Sequence, residues 1–196
     1  MTRTIRHALA FALLLAGAST AAAQGSSQSA MATDEGTTMV GGQAMFRTKD
    51  IVDNAVNSAD HTTLVAAVKA AGLVETLKGT GPFTVFAPTN AAFAALPEGT
   101  VPTLLEPRNK EQLTRVLTYH VVAGRYDAAA LMKAIRKGRG KASLITASGE
   151  TLWIMMNGDR NVVVRDAKGG VANISTYDVV QSNGVIHVVD RVLLPS

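Results

Sequence analysis

Cysteine is absent from the 196 residues. That excludes a disulfide framework, a thiolate zinc site, a thiol nucleophile and a Cys-anchored lipid. Aromatic side chains make up only 5% of the chain, with a single Trp. Charged residues are also sparse, at 17%. Long apolar runs are missing as well: none approaches the roughly 20 residues that a membrane-spanning helix needs. What the chain does have is 47% hydrophobic residues, far too many for a wholly disordered polymer.

The N-terminus reads as an export signal. Arg3, Arg6 and His7 precede an apolar run over 8–18 built on Leu9, Phe11, Leu13, Leu14 and Leu15. Ala21, Ala22 and Ala23 then offer the small side chains that a signal peptidase reads. The run is about half the length needed to span a bilayer, so a cleaved signal peptide over 1–23 is expected. The product is periplasmic or secreted, with no membrane span. Removing 23 residues leaves 173, and takes away two of the 19 basic residues and none of the 15 acidic ones. The formal charge falls from +4 to +2, which removes the compositional case for nucleic acid.

Residues 24–47 are rich in Ser, Thr, Gly and Ala without apolar periodicity, and predict a flexible tether. Residues 48–196 form one domain large enough to bury its own core. Its first half is mainly helical. Asp50 is placed to cap a short helix, and Leu64, Val65 and Val68 follow at helical spacing before Gly72 as a stop. Phe83 to Ala87 reads as a strand ending at Pro88, after which Thr89 caps a helix carrying Ala92 and Phe93. Asn109 is placed to cap 110–118, and Asp127 to cap 128–137 with Gly138 as stop. The second half reads as short strands over 143–146, 151–156, 161–164, 171–174 and 185–189, with turns at Asn157-Gly158 and Gly169-Gly170. Helices and strands are segregated along the chain, which predicts an α+β fold with a largely antiparallel sheet.

Sequence motifs for catalysis are missing. There is no phosphate-cradling loop with Lys, no Gly-x-Ser-x-Gly elbow, no His-Glu-x-x-His and no twelve-residue calcium loop. The mature chain has three His residues. His61 reads as a solvated loop residue, and His187 as a residue on the exposed or half-buried face of the last strand. His120 reads as a buried polar pin in need of a hydrogen-bond partner, or as a ligand contact. One cluster stands out: Lys133, Arg136, Lys137, Arg139 and Lys141 place five cations in nine residues. They suit a solvated helix C-terminus, where cations complement the macrodipole, or an anionic contact such as acidic polysaccharide or a phospholipid headgroup. Met155-Met156 beside Trp153 would suit a pocket lining as well as a core.

Three blocks resemble the fasciclin (FAS1) domain family. Thr84-Val85-Phe86-Ala87-Pro88-Thr89-Asn90 looks like its first signature. Thr118-Tyr119-His120-Val121-Val122 looks like its central Tyr-His motif. Asn183-Gly184-Val185-Ile186-His187-Val188-Val189-Asp190 looks like its second signature. The resemblance extends over about Lys49 to Pro195. It implies a wedge of two β-sheets with helices packed along one side. It also implies a role in cell adhesion or matrix contact, with a cell-surface or matrix protein or polysaccharide as partner. It implies no catalysis, metal or cofactor, and a monomer is expected. In animal relatives a short Asp-Ile-type motif has been associated with integrin binding. Asp178 and Val179 match it here, although the pair of residues that precedes it in those relatives is absent. The resemblance therefore offers Tyr119, His120, Asp178 and Val179 as partner-binding residues. The alternative function is a periplasmic carrier or stress-related protein that binds an anionic or apolar small molecule.

Overall fold

The computed structural model describes residues 36–159 and 161–196. The expected signal peptide and the first part of the expected tether lie outside the described residues. The chain runs β1 (Thr38–Val40), β2 (Gln43–Met45), α1 (Ile51–Ala55), α2 (Thr62–Ala71), α3 (Val74–Lys78), β3 (Phe83–Pro88) and α4 (Asn90–Ala94). It continues through α5 (Thr100–Leu105), α6 (Lys110–Tyr119), β4 (Val121–Ala123) and α7 (Ala128–Lys137). Five strands complete it: β5 (Lys141–Ile145), β6 (Thr151–Asn157), β7 (Asn161–Arg165), β8 (Val171–Gln181) and β9 (Gly184–Val189).

Local signals set most helix starts. The carboxylate of Asp50 accepts from Asp53 N–H, the hydroxyl of Thr89 from Ala92 N–H, and the carboxylate of Asp127 from Ala130 N–H. Each satisfies a donor that the first turn leaves orphaned. Gly72 closes α2 in the left-handed region at φ 74°. Asn109 does not cap as expected. A 3₁₀ turn over Pro107–Asn109 precedes α6, and the Asn109 amide donates instead to Thr103 O at 2.7 Å.

The sheet order is β4-β3-β9-β8-β7-β6-β5. Every pairing is antiparallel except β3 with β9. β8 belongs to two sheet halves: Val171 to Asn173 pair with β7, and Ile174 to Gln181 pair with β9. Register shifts between Ile174 and Val179 mark a bulge where the strand bends. The halves on either side of that bend are the two sheets of the expected wedge. The outer strands meet again at a bridge between Val122 and Thr146, and Ala147 N–H donates to Val121 O at 2.7 Å. The curl thus ties the β4 edge to the turn that follows β5.

Two apolar clusters flank the β3-β9 pair. On one side Val85, Ala87, Ile186 and Val188 pack against α1, α2 and α6. On the other, Phe86 and Val189 pack with Leu131 and Ile135 of α7 and the inward faces of β5 to β8. Parallel strands covered on both faces read as continuous apolar runs, which is the texture of these two segments. That double cover corrects the placement of His187: it is fully buried, because β9 has no exposed face.

A hairpin occupies part of the stretch expected to be tether. Residues 38–45 form a hairpin, and Val40 and Met45 join the helical-side core. Asn54 fastens it, donating to Phe46 O at 2.7 Å and accepting from Phe46 N–H at 2.9 Å. The same amide donates to Gln181 on β8.

Candidate functional site

The Tyr-His motif sits where α6 enters β4. Tyr119 is fully buried, and its hydroxyl donates to Thr151 O at 3.0 Å and accepts from Ala167 N–H at 2.9 Å. Burial pushes the phenol up to about 12. His120 donates from Nδ1 to Val116 O at 2.8 Å and accepts Leu193 N–H at Nε2, 2.9 Å. A carbonyl only accepts and an amide N–H only donates, so these partners fix one neutral tautomer. Burial lowers its pKa to about 4. Both residues tie α6 to distant chain segments and expose no surface. As partner contacts they are corrected; the reading of His120 as a buried polar pin stands.

Asp178 and Val179 lie at the bulge of β8. Val179 is buried in the helical-side core, so it too is corrected as a contact residue. Asp178 is half-buried with φ 55°, a left-handed conformation that Asp tolerates better than most residues. Its carboxylate accepts Ala128 N–H at 2.7 Å, adding a second acidic cap to α7 beside Asp127. His187 completes the joint: Nε2–H donates to Tyr126 O at 2.7 Å, and its ring stacks on Phe86 with centroids 5.8 Å apart. Burial lowers the pKa of His187, against the pull of Asp178. An Asp178→Asn variant is expected to keep near-native stability, since Asn tolerates the same φ and retains an acceptor. Asp178→Ala is expected to lose about 1–2 kcal/mol, read from paired urea titrations.

The basic cluster stands apart from these buried joints. Lys133, Arg136, Lys137, Arg139 and Lys141 are all exposed, and none forms an ion pair among the described residues. They run from the last turns of α7 through the turn into β5. Arg139, between Gly138 and Gly140, adopts φ 55°. The pairing of β5 with β6 brings the single Trp to this cluster: Ser143 lies opposite Trp153, and Lys141 Nζ stands 6.0 Å from the Trp153 ring centroid. Across β6, Trp153 lies opposite Arg165, a sixth exposed cation. Directly opposed residues share a face, so Lys141, Trp153, Met155 and Arg165 form one outward surface. Linear spacing hid Trp153 and Arg165, since only strand register brings them beside the cluster. Met156 packs at the margin of the second core, while Trp153 and Met155 are half-buried on the outer face.

A curled sheet whose buried parallel pair lies between two cores, with most helices on one side, and a pinned Tyr-His corner define the class of protein. The Fasciclin domain family matches residues 59–195, and the chain belongs to that family. It is 46% identical over 167 residues to Protein sll1483 of Synechocystis sp., covering 84% of each chain. It is 36% identical over 146 residues to Immunogenic protein MPB70 of Mycobacterium bovis, covering 72% of this chain and 66% of that one. Among solved structures it resembles the FAS1 domain pair of the insect cell adhesion molecule Fasciclin I. The TM-score there is 0.66 at 20% identity, over 74% of this chain and 51% of that one. That likeness establishes the fold. Among the described residues no helix is long and apolar enough to cross a membrane.

Proposed function

We propose that the chain is an exported, non-enzymatic adhesion module that attaches to acidic polysaccharide at a cell surface or in a matrix. Its contact surface is the ridge Lys133, Arg136, Lys137, Arg139 and Lys141, extended by Trp153 and Arg165. The observation that carries this reading is five exposed cations without an ion pair among the described residues, beside the only Trp of the chain. Cations satisfied by neighbouring carboxylates would have little to offer an anionic polymer. These retain their field, and an aromatic ring adds a flat face for a sugar. Adhesion is also what the matched insect molecule is known for by name.

Retention of the mature chain on immobilised alginate tests the reading. Binding is expected to weaken steeply as salt rises from 50 to 500 mM, since exposed charges are screened within about 10 Å at 0.1 M. A triple variant, Arg136→Glu, Lys137→Glu and Arg139→Glu, is expected to bind at least about tenfold more weakly, as three exposed contacts of about 0.5–1 kcal/mol are lost. Its thermal midpoint is expected to move little. Salt-indifferent retention, or equal retention by the triple variant, rules the ridge out.

A further inference from the structure

His61 contradicts its reading as a solvated loop residue. It is 97% buried, at the end of the 3₁₀ turn that leads into α2. Its Nδ1 lies 2.8 Å from the hydroxyl of Ser58, itself buried. Nε2 makes no hydrogen bond of good geometry among the described residues, although the backbone of Ala87 lies near enough to act on the ring. Buried polar atoms are nearly always paired, and an exception calls for an explanation.

The explanation is the space beside it. His61 lines a cavity of about 100 Å³ between the helical layer and the β3-β9 pair, walled by Leu64, Val68, Leu77, Val85 and Ile186. His120 also lines it, but both His120 nitrogens are bonded elsewhere. The cavity is of the same order as one of about 150 Å³ that takes a benzene ring. Water suits it poorly, because an ordered buried water needs two to four polar partners and these apolar walls supply almost none beyond Nε2. The lining also includes the exposed Lys69 and Thr76, so the space is not sealed from solvent.

We propose that this cavity binds a small apolar molecule of about one ring carrying a single hydroxyl, with its body among the aliphatic walls and its hydroxyl on His61 Nε2. A hydroxyl both donates and accepts, so it satisfies Nε2 whichever way the Ser58 hydroxyl sets the tautomer. A neutral occupant fits the apolar walls better than an anion: Lys69, the cation in the lining, is exposed, and burial lowers the pKa of His61. The site is separate from the cationic ridge and independent of it.

Phenol and toluene are matched probes, differing in a hydroxyl against a methyl. Titration of the mature chain by calorimetry is expected to show phenol binding about five- to tenfold tighter than toluene, the worth of one hydrogen bond. In His61→Leu that preference is expected to vanish while toluene still binds. Should His61→Leu fail to fold, ¹⁵N NMR of the native imidazole decides: phenol shifts the His61 Nε2 resonance and toluene leaves it in place. Equal affinity for both probes, binding of neither, or a phenol complex with an unmoved His61 resonance overturns the proposal.

Discussion

Replacement of Asn183 by alanine is expected to cost the domain about 3–5 kcal/mol. Asn183 is the second residue of the tight turn from β8 to β9, and its side chain is buried. The carbonyl accepts Ile51 N–H at 3.1 Å, and the amide donates to Leu77 O at 2.8 Å and to Gly79 O at 3.0 Å. These three backbone groups lie at the start of α1 and the end of α3, where helices leave donors and acceptors orphaned. Alanine strips all three partners at once, and an unsatisfied buried group costs about 1–3 kcal/mol. Neighbouring Ser182 is exposed, so Ser182→Ala is expected to stay within about 0.5 kcal/mol of the parent. Urea midpoints of the two variants, at unchanged slope, make the comparison. Similar midpoints would mean that water replaces the Asn183 amide without loss.

Acid is expected to unfold the domain well above the carboxylate range. The imidazole of His120 takes a proton near pH 6.5 when unfolded, but resists it to about 4 when buried. Between those values the unfolded chain holds the extra proton, so stability rises with pH there. It is complete above pH 6.5 and falls by about 3 kcal/mol as the pH drops to 4, at about 1.4 kcal/mol per unit. His61 and His187 are buried with lowered pKa values, and push in the same direction. For a domain of this size, His120 alone corresponds to about 6–12 °C in thermal midpoint. A His120→Phe variant, less stable at pH 7, is expected to show a shallower decline from pH 6.5 to 4. Parallel declines in the two proteins would remove His120 as the titrating group.

Much of the local framework was legible in the sequence. Asp50, Thr89 and Asp127 act as caps because a cap is decided within three residues, and Gly72 is needed where a left-handed residue ends α2. The three signature blocks led to the family because they hold the β3-β9 pair and the α6 corner. The rest depended on pairings that no short window contains. His187 looked half-exposed because alternation in β9 implied a solvent face, whereas β9 lies between two cores. The hairpin over 38–45 was hidden by its composition, since only Val40 and Met45 of its six strand residues join the core. Trp153 reached the cationic cluster through register, and the empty side of His61 through packing. Asn183 was legible as a turn residue but not as a clamp, because its partners lie more than a hundred residues away.

The parallel pairing of β3 with β9 also has a consequence in time. One of its two strands, at the seam between the two cores, is synthesised about a hundred residues after its mate. Until residue 184 is available, neither core can close, and the long loop between the two strands must be gathered before they can meet. A chain built in this way stays open while it is being made. Such late closure would suit the export proposed for this chain, in which the polypeptide crosses a membrane before it folds.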